Sequence, residues 1–167
     1  MAVAATKTFA AAAAMLLPAV AHAFCWDKAA SYYYVNPDVL RAIAQQESGL
    51  NPTAIRKNKN GSVDRGPMQI NSRWLPALRH YGIGENELMD PCVNVMVGAW
   101  ILRMEMQKYG NSWEAISAYH SPTPARGKAY AHKIQRHLLE QRGGATDRSS
   151  GDQGMRGTWL RQQEPTR

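Results

Sequence analysis

The chain has 167 residues, with 20 Lys and Arg against 13 Asp and Glu, a formal charge of +7 and a pI near 9.6. That length suits one domain with a real core plus its ends. The basic balance points to an anionic partner (nucleic acid, a membrane surface, or a cell wall with its peptide carboxylates and phosphates) and does not choose among them.

The N-terminus narrows the choice. Residues 1–23 carry one charge, Lys7, then an apolar stretch from Phe9 to Val20, and close on Ala21-His22-Ala23. The pattern predicts a secretory signal peptide cut after Ala23, with an uncleaved anchor as the alternative; the apolar stretch is short for a membrane span. No later segment is long enough to cross a bilayer, so no span remains after cleavage. Export argues against a nucleic-acid partner. Loss of Lys7 lowers the charge from +7 to +6. Cys25 and Cys92 both fall in the mature chain. An even pair in an exported protein suggests a disulfide, and two free buried thiols are the alternative. Without clustered His they make no metal site.

The predicted elements follow in chain order. Asn36-Pro37 opens a helix as N-cap and first-turn proline. Leu40, Ile43, Ala44 and Glu47 form one stripe of it, and Gly49 with Asn51-Pro52 ends it. Residues 53–71 are polar, with a hairpin signal at Asn60-Gly61, and support a sheet of two or three short strands. A short helix runs from Ser72 to Tyr81 and stops at Gly82. Asp90-Pro91 caps a long helix with Val93, Met96, Val97, Trp100, Ile101 and Met104 on its stripe, ending at Gly110. Ser112 caps another with Trp113, Ile116 and Tyr119. The last covers 127–141, with Tyr130, Ile134 and Leu138 at four-residue spacing. From Gly143 the composition turns to Gly, Ser, Asp, Arg and Gln, which reads as a disordered tail over 143–167. The compact domain is 24–142, mainly helical with a small β insertion.

Glu47 is the residue that needs explaining, because it sits where the stripe calls for Leu or Ile. Desolvation pushes carboxyl groups toward their protonated form, and glycoside cleavage needs such an acid to protonate the leaving oxygen. A solvated Glu at the rim of the stripe is the plain alternative. Asp64 is the candidate second carboxylate, placed where a hairpin folds back over the helix end. Paired carboxylates in different environments are the usual glycosidase apparatus.

Four ordered segments carry a resemblance. Glu47-Ser-Gly-Leu-Asn-Pro52, Gly66-Pro-Met-Gln-Ile-Asn71, Ala118-Tyr119 and Tyr130 together resemble the family 1 lytic transglycosylases, from about Cys25 to His137. Glu47 to Trp74 also resembles the C-type lysozymes without a gap, with Asp64 at the position of their second carboxylate. The likeness is strongest to small exported transglycosylases of type III secretion, conjugation and pilus systems. It implies an α+β lysozyme-like fold, a helical bundle with a small β-hairpin insertion beside the active-site groove. It also implies roles. Glu47 acts as acid and then base, and Ser48 supports the glycan or the Glu backbone. Met68, Gln69, Ile70 and Asn71 belong to the substrate-binding groove, and Tyr119 and Tyr130 frame Glu47. Asn94 and Gly98 match recurring helix positions and read as packing residues. His120 departs from the family, which carries Asn there to position a substrate N-acetyl group; an imidazole still offers a hydrogen bond.

The implied reaction cleaves the β-1,4 bond between N-acetylmuramic acid and N-acetylglucosamine in peptidoglycan and leaves 1,6-anhydromuramic ends. It needs no metal or other cofactor. The implied setting is the periplasm, as a monomer opening the wall locally for a secretion, conjugation or pilus machine. Two alternatives stand: a hydrolytic muramidase using Glu47 with Asp64, and an exported wall-binding assembly protein that has lost activity.

Overall fold

The computed structural model describes residues 24–121 and 123–148, with side chains as far as residue 143. The expected leader over 1–23 and the tail beyond residue 148 lie outside the described residues. The described chain is mainly helical. α1 is Trp26–Tyr33, α2 Pro37–Ser48, α3 Leu75–Leu78, α4 Pro91–Tyr109, α5 Trp113–His120 and α6 Pro124–Arg148; β1 Ile55–Lys57, β2 Val63–Arg65 and β3 Ile70–Asn71 form one antiparallel sheet in that order. The α+β arrangement expected for a lysozyme-like fold is present.

The helix signals act as their chemistry requires. The Asn36 side chain accepts from the backbone N–H groups of Asp38 and Val39, and Gly49 closes α2 in the left-handed conformation at φ 63°. Asp90 caps α4 through the Val93 N–H at 2.9 Å, and Ser112 caps α5 through the Ala115 N–H at 3.3 Å. Each cap satisfies an N-terminal donor that has no partner inside its helix.

Three elements differ from the sequence expectation. α1 was not predicted, although Trp26, Ala29, Ala30 and Tyr33 have helical spacing; eight residues are too few to hold a helix alone, and this one rests on packing. Ser72 to Tyr81 is not one helix but a 3₁₀ turn, the four-residue α3 and a second 3₁₀ turn. Pro76 has no N–H and fits only the first turn of a helix, so it limits α3. α6 is longer than 127–141 at both ends, beginning at Pro124 and continuing through Gly143 to Arg148.

α4 is the central helix, packed against α1, α2, α5 and β3. Its buried residues are Asn94, Val95, Val97, Gly98, Ala99, Ile101 and Leu102 together with Pro91, whereas Val93, Met96 and Trp100 are only partly covered. The expected stripe is therefore rotated. A hydrophobic count overlooks Gly98 and Asn94, and these two receive the segment after β2. Asn94 Oδ1 accepts from the Met68 N–H at 2.8 Å, and Nδ2 donates to the carbonyls of Arg65 at 2.8 Å and Leu88 at 2.9 Å. A Cβ on Gly98 would stand 2.6 Å from Met68 Cε and 3.0 Å from Met68 Cβ. Gly66 turns the chain at φ 71°, and a side chain there would overlap the Asn94 amide. Both glycines serve close approach.

Cys25 and Cys92 are joined, with Cα atoms 5.0 Å apart and a separation of 67 residues. The bond ties the start of α1 to the first turn of α4. A loop of this size constrains the unfolded chain by roughly 4 kcal/mol, so reduction should lower the urea midpoint of unfolding without changing the folded circular-dichroism spectrum. The isosteric change Asn94→Asp should cost roughly 3 kcal/mol in the same assay, because an oxygen would then face two buried carbonyls. An unchanged midpoint would remove Asn94 from its assigned role.

Candidate active site

Glu47 lies in the last turn of α2, and its side chain is 9% exposed. Among the described residues, the basic side chains within 4 Å of it are Arg56, whose Nη2 is 3.9 Å from Oε2, and His120, whose Nδ1 is 3.8 Å from Oε1. Both separations are too long for a hydrogen bond. Glu47 is thus covered but loosely held.

Asp64 has the opposite environment. The register pairs Arg56 with Asp64 across β1–β2, and Asp64 with Asn71 across β2–β3. Opposed residues share a face of the sheet, so the three side chains stand abreast. Arg56 donates to Asp64 Oδ2 through Nε at 3.2 Å and Nη2 at 3.0 Å, Asn58 donates to the same oxygen at 3.0 Å, and Asn71 donates to Oδ1 at 2.6 Å. Four donors on one carboxylate come close to filling its acceptor sites.

Two tyrosines close the site from α5 and α6. Tyr119 donates its hydroxyl to the Met68 carbonyl at 3.1 Å, and so fastens α5 to the turn that Asn94 holds. The Tyr130 ring stacks on His120, with centroids 4.5 Å apart and planes 3° from parallel. Its buried hydroxyl meets no partner with full hydrogen-bond geometry and approaches the Glu47 carboxylate. Burial foremost, then the charge on Glu47, raises the Tyr130 hydroxyl well above the ordinary phenol range; Tyr119 is raised by burial, then by Glu47 and Asp64. Both remain neutral donors at physiological pH.

These side chains surround a groove of about 490 Å³. Of the residues expected to form it, Glu47, Asp64, Gln69, Ile70, Asn71, Tyr119 and His120 line it. Three stand behind the wall. Met68 is fully buried against Gly98. Ser48 donates to the Pro67 carbonyl at 2.8 Å and joins α2 to the same turn. Tyr130 is 4% exposed. Gln69 has φ 48° and donates its amide to the Gly66 carbonyl at 2.9 Å. Sequence reasoning missed Arg56, Asn58 and Trp74, all of which line the groove. Arg56 was not legible from the turn alone: pairing outward from Asn60-Gly61 would set it opposite Arg65, and the register of the folded sheet, one residue off, sets it opposite Asp64. A second cavity of about 510 Å³, beside Asn36, Tyr109 and Trp113, contains one carboxylate, Glu114, and that residue is exposed. It lacks a covered acid.

The raised Tyr130 hydroxyl makes a prediction about alkaline stability. Its folded pKa lies above the unfolded value near 10, so its contribution is complete below about pH 10 and is lost as the pH rises further. The urea midpoint should fall as the pH rises above about 10, and Tyr130→Phe should make that fall shallower. An equal slope in both proteins would refute the assignment.

The comparisons agree with this geometry. The family described as "Transglycosylase SLT domain" matches residues 24–136. The chain is 45% identical to the invasion protein IagB of Salmonella typhimurium over 128 residues, covering 74% of this chain and 80% of the relative. It is 41% identical to protein IpgF of Shigella flexneri over 128 residues, 74% of this chain and 84% of the relative. It is also 38% identical to the X polypeptide of Escherichia coli over 109 residues, 64% of each chain. With fold, groove and sequence in agreement across the described domain, the chain belongs to the transglycosylase SLT family of peptidoglycan lytic transglycosylases.

Proposed function

We propose that the chain cleaves the β-1,4 bond between N-acetylmuramic acid and N-acetylglucosamine and leaves 1,6-anhydromuramic ends, with Glu47 as the single acid and base. The observation that carries this reading is the contrast between the two carboxylates. Glu47 is covered and lines the groove, with Arg56 and His120 no nearer than 3.8 Å, whereas Asp64 is engaged by four donors. Glu47 gives its proton to the glycosidic oxygen as the C1–O bond breaks. Charge develops on the muramyl ring, and Asp64 with its donors faces it as a fixed dipole array. The 6-hydroxyl of the same sugar then adds to C1, and its proton returns to Glu47. Tyr130, kept neutral, orients the carboxyl group. Gln69, Ile70 and Asn71 bind the glycan along the floor, and His120 offers a ring nitrogen to a substrate acetamido group. Ser48 and Met68 support the groove from behind.

The setting we propose is the periplasm. The signal-peptide pattern and the Cys25–Cys92 bond support export, and among the described residues no helix is long and apolar enough to cross a membrane. IagB carries the name of an invasion protein. By likeness to it, the chain opens the wall locally during assembly of a secretion, conjugation or pilus machine.

The test is digestion of purified peptidoglycan by the oxidised chain, residues 24–167, with the fragments identified by mass spectrometry. Anhydro ends are expected, and Glu47→Gln should lower their yield about 10³-fold, the scale of lost general acid–base catalysis. Reducing ends, one water heavier, would instead make the chain a muramidase with Asp64 as catalyst. Folded protein that yields no fragments would favour the wall-binding alternative.

A further inference from the structure

The groove contains one cation that contacts both carboxylates. Arg56 approaches Asp64 Oδ2 with Nε and Nη2 at 3.2 and 3.0 Å, and the same Nη2 is 3.9 Å from Glu47 Oε2. Its side chain is 53% exposed while those of Glu47 and Asp64 are 9% and 8% exposed. The guanidinium thus lies over the two acids at the groove surface. The directly opposed register of Arg56 and Asp64 gives the contact a built geometry, because the backbone aligns both residues.

We propose that Arg56 determines the product: by occupying Asp64, it closes the hydrolytic route and leaves the internal 6-hydroxyl as the acceptor. The proposal rests on the transglycosylase reading above and assigns a positioning residue to it. The two routes differ in what reaches C1. In the anhydro route the C1–O bond breaks as Glu47 protonates the leaving oxygen, the O6–C1 bond forms, and the O6 proton returns to Glu47; no water is consumed. In the hydrolytic route an Asp64 oxygen bonds to C1 as the leaving oxygen takes the Glu47 proton. Water then gives a proton to Glu47, its oxygen bonds to C1, and the Asp64–C1 bond breaks, so that one water is consumed.

The second route needs an Asp64 oxygen with a free lone pair and undiminished charge. Oδ2 accepts from Arg56 twice and from Asn58, and Oδ1 accepts from Asn71 at 2.6 Å. The two amides orient the carboxylate without cancelling its charge. The guanidinium cancels it, and its paired donors match the carboxylate plane in a way that an ammonium does not. Removing Arg56 therefore returns charge and two acceptor positions to Oδ2, the oxygen that carries three of the four bonds.

The experiment measures the ratio of reducing to anhydro ends released from purified peptidoglycan by the wild-type chain, Arg56→Gln, Arg56→Lys and the double variant Arg56→Gln/Asp64→Asn. The ratio should rise several-fold in Arg56→Gln, rise less in Arg56→Lys, and return to the wild-type value in the double variant. A merely structural arginine would lower the rate and leave the ratio unchanged. The proposal is overturned if Arg56→Gln cleaves with the wild-type ratio, if the ratio shifts even with Asp64→Asn, or if neither single variant cleaves, which would assign Arg56 to substrate binding or folding. Wild-type protein that yields reducing ends, or no ends, would instead bring down the underlying reading, and that result is visible before any variant is compared.

Discussion

Asn94 lies in the first turn of the central helix with no exposed surface, and its amide is wholly committed to the backbone of other segments. Helix interiors seldom bury such a group, because an unpartnered amide away from water is costly. Here each amide atom has a partner: the Met68 N–H and the Arg65 carbonyl in the segment that carries the groove, and the Leu88 carbonyl in the turn before α4. Gly66 and Gly98 are glycines because the amide and the Met68 side chain fill the space where a Cβ would project. Tyr119 and Ser48 bond to the carbonyls of Met68 and Pro67 in the same turn. Four segments of the fold (α2, the sheet, α4 and α5) therefore meet at residues 66–68, and the groove inherits its shape from that junction.

On this base the two carboxylates acquire different surroundings by different means. Glu47 is covered because it stands on the inward face at the end of α2, where α5 and α6 bring His120 and Tyr130 over it. Asp64 is covered because the sheet aligns donors on both sides of it. Helix packing removes water without supplying hydrogen bonds, whereas a strand register supplies hydrogen bonds as it removes water. That difference separates a covered carboxyl group with few polar partners from one engaged by four donors.

His120 and Tyr130 illustrate how an unusual residue can be accommodated. A parallel stack at 4.5 Å gives the imidazole a fixed plane, and its Nδ1 is directed toward Glu47. The imidazole stands at the same helix end, with its orientation set by the aromatic partner.

The sequence by itself determined the elements that obey local rules. The caps at Asn36, Asp90 and Ser112, the glycine stop after α2, the hairpin at Asn60-Gly61 and the polar intruder Glu47 on an apolar stripe are all readable, because each depends on neighbours within four residues. The ordered motifs added the family. What only the tertiary structure decided is which atoms meet across long separations. The rotated face of α4 is set by Asn94 and Gly98, which no hydrophobic pattern counts. Met68 and Ser48 support the groove from behind because their partners arrive from α4 and from the turn after β2. Arg56 and Asn58 join Asp64 through register, since a one-residue slip would turn them to the opposite face. Local chemistry fixes the conformation of short segments, while the electrostatic state of a site depends on groups that the chain brings together only when it is packed.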